Sequence, residues 1–107
     1  MDIYFKQLEL ARVLNSGEQL KDCYGVKTAR QIRLRLAVLR AVACVADVPT
    51  VAPDRFRQLE GSSRLRFSVD AVPFCIIFEP IEPRLKSRGK VDLRKITSVT
   101  ILEIVEK

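Results

Sequence analysis

Residues 55–66 gather the side chains best suited to working on a phosphodiester. Arg55, Arg57, Arg64 and Arg66 surround a single carboxylate, Glu60. A guanidinium presents paired donors that match phosphate oxygens, and it stays protonated, so it stabilises charge better than it moves protons. Glu60 is the acid in this stretch able to take a proton, although a glutamate among arginines also serves as an ordinary exposed ion pair. The 107 residues include no histidine. The usual proton donor and acceptor for cleaving a phosphodiester is therefore missing. Glu103, inside the apolar run 99–105, reads as a paired structural charge rather than a reacting group.

The charge is concentrated. Residues 26–40 carry Lys27, Arg30, Arg33, Arg35 and Arg40 with no acid, which is +5. Residues 84–95 carry Arg84, Lys86, Arg88, Lys90, Arg94 and Lys95 against Asp92, again +5, so within a total of +6 the remainder is −4. Clustered positive charge attracts phosphate backbones or an acidic protein partner. Arg30, Arg33 and Arg40 share one helical flank and are candidate RNA contacts; Arg35 points elsewhere.

Cys23, Cys44 and Cys75 are odd in number and form no C-x-x-C pair, so neither a disulfide framework nor a zinc knuckle is expected. Three small buried or half-buried hydrophobes in a reducing cytosol are the plain reading. No metal or cofactor is implied. With 48% hydrophobic and 30% charged residues, the chain reads as one globular domain, residues 1–107. No secretory leader or bilayer-spanning run is read, and a cytoplasmic location is expected.

The elements that must position these groups follow from periodicity. Ile3, Tyr4 and Phe5 form a β-prone start, and Leu8, Leu10, Ala11 and Leu14 follow at helical spacing up to Asn15-Ser16-Gly17. A short helix over 18–24 stops at Gly25. The strongest helix spans 27–44, with Ala29, Ile32, Leu36, Leu39 and Ala43 on one stripe. After Pro49 and Pro53, a short strand is expected over 55–59. Leu65, Phe67, Val69 and Ala71 alternate with Arg66, Ser68 and Asp70, a half-buried strand with a polar face. Phe74, Ile76 and Phe78 alternate with Cys75, Ile77 and Glu79, completing an antiparallel hairpin. Residues 80–96 read as a long surface loop, and 99–105 as a strand covered on both sides. The fold class is α+β, with N-terminal helices packed on one face of a small twisted antiparallel sheet.

Several short words occur along the chain in a family's order. They are Tyr24-Gly25, Ala29-Arg30-Gln31-Ile32, Arg35-Leu36-x-x-Leu39, Arg55-x-x-x-Leu59-x-Gly61, Phe67-Ser68-Val69-Asp70, Ile76-Ile77-Phe78-Glu79-Pro80 and Ile101-Leu102-Glu103-Ile104-Val105. Through them the chain resembles the RelE/ParE superfamily of toxins, and within it the HigB-like, plasmid-maintenance killer branch. The resemblance implies the toxin component of a type II toxin–antitoxin system, held inactive by a helix-turn-helix antitoxin and acting as a ribosome-dependent, metal-independent endoribonuclease (mRNA interferase). It implies catalytic roles for Arg57, Glu60 and Arg66, with Glu60 as base, and RNA contacts for Arg30, Arg33, Arg40, Arg55 and Arg64. Arg57 stands where this branch often has histidine, Glu60 where it often has lysine, and Cys75 where an arginine is common. Alternatives are a catalytically silent toxin-fold protein that binds an antitoxin-like partner or RNA, and a ParE-like gyrase inhibitor.

Overall fold

A computed structural model describes residues 1–59, 65–81, 86–87 and 90–107 of the chain. Strand β1 (Asp2–Phe5) leads into helix α1 (Leu8–Asn15) and helix α2 (Gly17–Ala41). A connection containing a 3₁₀ turn at Val45–Asp47 then reaches β2 (Arg57–Leu59), β3 (Arg66–Ala71) and β4 (Phe74–Pro80). Beyond them lie β5 (Lys86–Ser87), β6 (Lys90–Val91), a 3₁₀ turn at Leu93–Lys95 and β7 (Ser98–Glu106). The two-residue strands β5 and β6 pair with each other, so the segment read as a plain loop contains a small ladder.

Local chemistry explains the helical half. Ser16 ends α1 and caps α2, its Oγ accepting from the Gln19 N–H at 3.2 Å. Gly25 adopts φ +82° and ψ 165° and breaks α2 in two. Only glycine takes this conformation without steric cost, so the expected stop is a sharp bend with helix on both sides. In an unbroken helix residues 17 and 33 would stand about 24 Å apart. Here a side chain added at Gly17 would meet the Arg33 guanidinium at 3.7 Å, because the short half folds back along the long one. Tyr24 anchors the bend, meeting the ring of Phe74 edge-on with centroids 5.2 Å apart.

Ala29, Ile32, Leu36 and Leu39 are buried along the long half of α2, as their spacing requires. Ala43 is exposed, because the helix ends at Ala41 and Val42 is already extended. The stripe packs on Phe67, Val69, Ala71, Ile76, Phe78, Val99 and Ile101 of the sheet. Phe56, Phe67 and Phe78 form an aromatic cluster at one side of it.

The main sheet has the order β1-β7-β4-β3-β2. Neighbours are antiparallel except β1 and β7, which run parallel with Asp2 opposite Ser98. The expected antiparallel sheet is thus a five-stranded mixed one, since β1 returns to pair with the far end of the chain. A bulge at Leu102 in β7 shifts the register, so that Ile77 faces Glu103 while Phe78 faces Ile101.

The edge of β3 beyond β2 is completed by a side chain. Asp70 N–H donates to the Asp54 carbonyl at 2.7 Å, and Arg35 Nε donates to the Asp70 carbonyl at 3.0 Å. Arg35 also bonds Gln31 Oε1 at 2.9 Å and faces Asp54 Oδ1 at 3.6 Å, an ion-pair contact longer than a hydrogen bond. Arg35 and Asp54 are both buried. Arg35 therefore leaves the surface charge of 26–40.

Replacing Ile32 or Leu36 by Asp buries an unpaired carboxylate at a site 0% or 1% exposed and should cost several kcal/mol, read as loss of cooperative thermal unfolding. Arg35→Ala leaves Asp54 without its cation and Asp70 without its donor. A loss of roughly 3–5 kcal/mol is expected in urea titration, with part of it recovered when Asp54 is also replaced by Leu.

Candidate functional site

Strand alternation gives the sheet a second face, turned away from the helices. On it β3 presents Arg66, Ser68 and Asp70, β4 presents Cys75 and Ile77, and β7 presents Glu103 and Val105 beyond its bulge. Arg57 of β2 lies opposite Ser68, and Leu59 lies opposite Arg66. Ser68, Asp70, Cys75 and Ile77 at the centre are buried, whereas Arg57, Glu103 and Lys107 around them are exposed. The polar side of β3, expected to be half solvated, is covered: Ser68 and Asp70 are each only 1% exposed. Glu103, expected to be paired and enclosed, is exposed and has no ion pair among the described residues. The strand 99–105 is thus covered by helices on one side only.

Asp70 organises this face. Its Oδ1 accepts from Arg57 Nη2 at 3.2 Å and its Oδ2 from Lys107 Nζ at 2.8 Å. Lys107 is held by its backbone too, donating to the Pro73 carbonyl at 3.0 Å. Cys75 pairs with Asp70 across the strands. Burial first, then the Asp70 carboxylate, pushes its thiol pKa up; Arg57 and Lys107 pull it down, and Glu103 adds a smaller push upward. The thiol is therefore not an activated thiolate.

Two polar atoms beside this junction lack partners. Ser68 Oγ and Arg66 Nε are buried and make no hydrogen bond. They sit on successive same-face positions of β3, about 7 Å apart along the strand. A hydroxyl and a guanidinium N–H at successive same-face positions, with Arg57 across from Ser68, are donor types suited to an oxyanion, and both unpartnered atoms are shielded from solvent. The described residues contain no group of histidine, cysteine and carboxylate side chains able to hold a metal.

The sequence-predicted residues divide into groups. Arg57 and Arg66 both lie on the helix-free face, at diagonal register positions of β2 and β3. Arg55 lies before β2, exposed and at φ +47°, so the strand starts two residues later than expected. Glu60 and Arg64 lie outside the described residues. Arg30 and Arg33 line a groove between the two halves of α2, on the other side of the sheet from Arg57. Arg40, further along α2, donates to Asn15 Oδ1 of α1 at 3.3 Å. Sequence spacing missed Asp70, Ser68 and Lys107. The one available signal was a polar residue at every second position of β3.

No protein-family model matches this chain, nor does any curated protein or solved structure. What the geometry defines is an α+β domain of helices on a mixed sheet. Its helix-free face carries a buried carboxylate bracketed by two cations. Among the described residues no helix is long and apolar enough to cross a membrane.

The raised Cys75 pKa has a definite sign for stability. The folded chain keeps this proton to higher pH than the unfolded chain does, so the thiol's contribution is fully present below the ordinary thiol range and lost as pH rises through the folded value. Cys44 and Cys75 are buried as expected, but Cys23 is exposed on the short half of α2, so thiol alkylation followed by mass spectrometry should modify Cys23 well before Cys75 at neutral pH. Asp70→Asn should move the onset of Cys75 alkylation to lower pH, and an unchanged onset would contradict the electrostatic assignment.

Proposed function

We propose that this chain is a toxin of the RelE/HigB type that engages mRNA at the ribosome through the helix-free face of its sheet. Its restraining partner is a helix-turn-helix antitoxin, and the cytoplasm is its place of action. The observation that carries the reading is the placement of Arg57 and Arg66 on the same helix-free face of neighbouring strands, with Arg57 exposed to solvent and Arg66 partly so. Phosphate contacts from arginine and hydroxyl groups position an RNA backbone.

The chemistry assigned to this face is metal-independent. The RNA 2′-hydroxyl attacks the adjacent phosphorus, its proton passes to a base, and the leaving 5′-oxygen takes a proton from an acid. Arg57 and Arg66 neutralise the charge that builds on the phosphate oxygens. Asp70 already accepts from two cations and is not available as the base. Cys75 keeps its proton at neutral pH and does not serve either. Glu60 is the base that this reading requires.

A second reading, a catalytically silent binder of RNA or of an antitoxin-like protein, is favoured by the same junction. Asp70 takes up Arg57 and Lys107, which offsets part of the positive charge offered to a phosphate. Induction in a susceptible host, scored for growth arrest and mRNA cleavage, separates the two readings. For an active nuclease, Arg57→Ala, Arg66→Ala and Glu60→Gln should each lower cleavage roughly one hundred-fold, with Glu60→Gln changing RNA binding least. Intact mRNA on translating ribosomes at high protein concentration would leave the silent reading. The arginine variants should then still weaken RNA binding and flatten its salt dependence.

A further inference from the structure

We propose that the groove between the two halves of α2 is a docking site for an acidic amphipathic helix of a protein partner. Its long wall is built by Val26, Arg30, Arg33, Leu34 and Ala37, which recur at three- and four-residue steps on one side of the helix. Lys21, on the short half folded back by Gly25, faces them. Val26 is 70% and Leu34 45% exposed, so two large apolar side chains remain unburied beside three cations. No acid lines the groove, and none of Lys21, Arg30 and Arg33 forms an ion pair with an acid among the described residues.

The combination selects the occupant. A nucleic acid uses the cations but gains nothing from Val26, Leu34 and Ala37, and the groove has no aromatic ring on which a base would stack. A helix with an apolar stripe flanked by glutamates or aspartates uses both features, burying its stripe on Val26 and Leu34 while its carboxylates meet Lys21, Arg30 and Arg33. The wall from Val26 to Ala37 is about 16 Å long, enough for three turns of a partner helix. This assignment is independent of the sheet face and of RNA cleavage. It gives Arg30 and Arg33 a protein partner in place of the RNA contact that their charge alone suggested.

Fluorescence anisotropy with the purified chain tests it. The probe is a labelled peptide of roughly 14 residues, stapled as a helix, with leucines on one face and glutamates on both flanks. Its counterpart carries lysine for every glutamate, and oligouridylate serves as the nucleic-acid competitor. The acidic peptide should bind and the lysine peptide should not. Arg30→Glu with Arg33→Glu should weaken the acidic peptide by roughly tenfold or more and confer binding of the lysine peptide. Leu34→Gln should also weaken the acidic peptide, with thermal unfolding unchanged from the parent. The proposal fails if the two peptides bind alike or if Leu34→Gln leaves affinity unaltered. It also fails if oligouridylate displaces the peptide and is itself lost on the double charge reversal, which would make the groove a nucleic-acid site. None of these results bears on cleavage by the opposite face.

Discussion

Everything on the helix-free face depends on how Arg35 is buried. A guanidinium taken out of water is expensive, and an ion pair with Asp54 at 3.6 Å does not by itself offset that. What justifies the position is main-chain bonding. Strand β2 is too short to cover the whole edge of β3, and the Asp70 carbonyl would otherwise be left without a donor. Arg35 supplies the donor from α2, and the Asp54 carbonyl accepts from the Asp70 N–H in the same gap. One side chain thus ties helix, connection and sheet together. Asp70 is fixed by its backbone on one side and bonded through its carboxylate to Arg57 and Lys107 on the other.

The two faces of the domain spend their positive charge differently. In the segment 26–40, Arg35 is consumed by the fold and Arg40 is tied to Asn15, so Arg30 and Arg33 are the arginines left on the groove. On the sheet, Arg57 and Lys107 balance Asp70, while Arg66 keeps an unsatisfied Nε. A run of like charge in a sequence is therefore a poor measure of surface potential. The sorting is done by tertiary contacts.

Much of the architecture was legible because it is local. The stripe Ala29, Ile32, Leu36 and Leu39, the stop at Gly25 and the alternation on either side of Pro73 are patterns a few residues long, and the structure contains each of them. The parallel pairing of β1, the burial of Ser68 and Asp70, and the exposure of Glu103 were not legible. Each depends on which distant strand lies alongside. Of the candidate site, Arg57 and Arg66 were visible as arginines in a basic stretch. The junction of Arg57 and Lys107 with Asp70 joins residues 13 and 37 positions apart, which only the pairing of distant strands brings together. Arg35 misled for a simple reason: sequence counts charges and cannot tell a solvated one from one used as a backbone donor.

The parallel ladder between β1 and β7 governs the order in which this protein can be assembled as it is made. Residue 2 has nothing to pair with until residue 98 has been added. The helices rely on short-range contacts and can form early, and the β3–β4 hairpin can dock beneath them. Strand β7 then closes the sheet from both sides at once, pairing with β4 and β1. A nascent chain halted before β7 would display the bare edge of β4, rich in Phe, Ile and Cys, an edge prone to join a neighbouring chain.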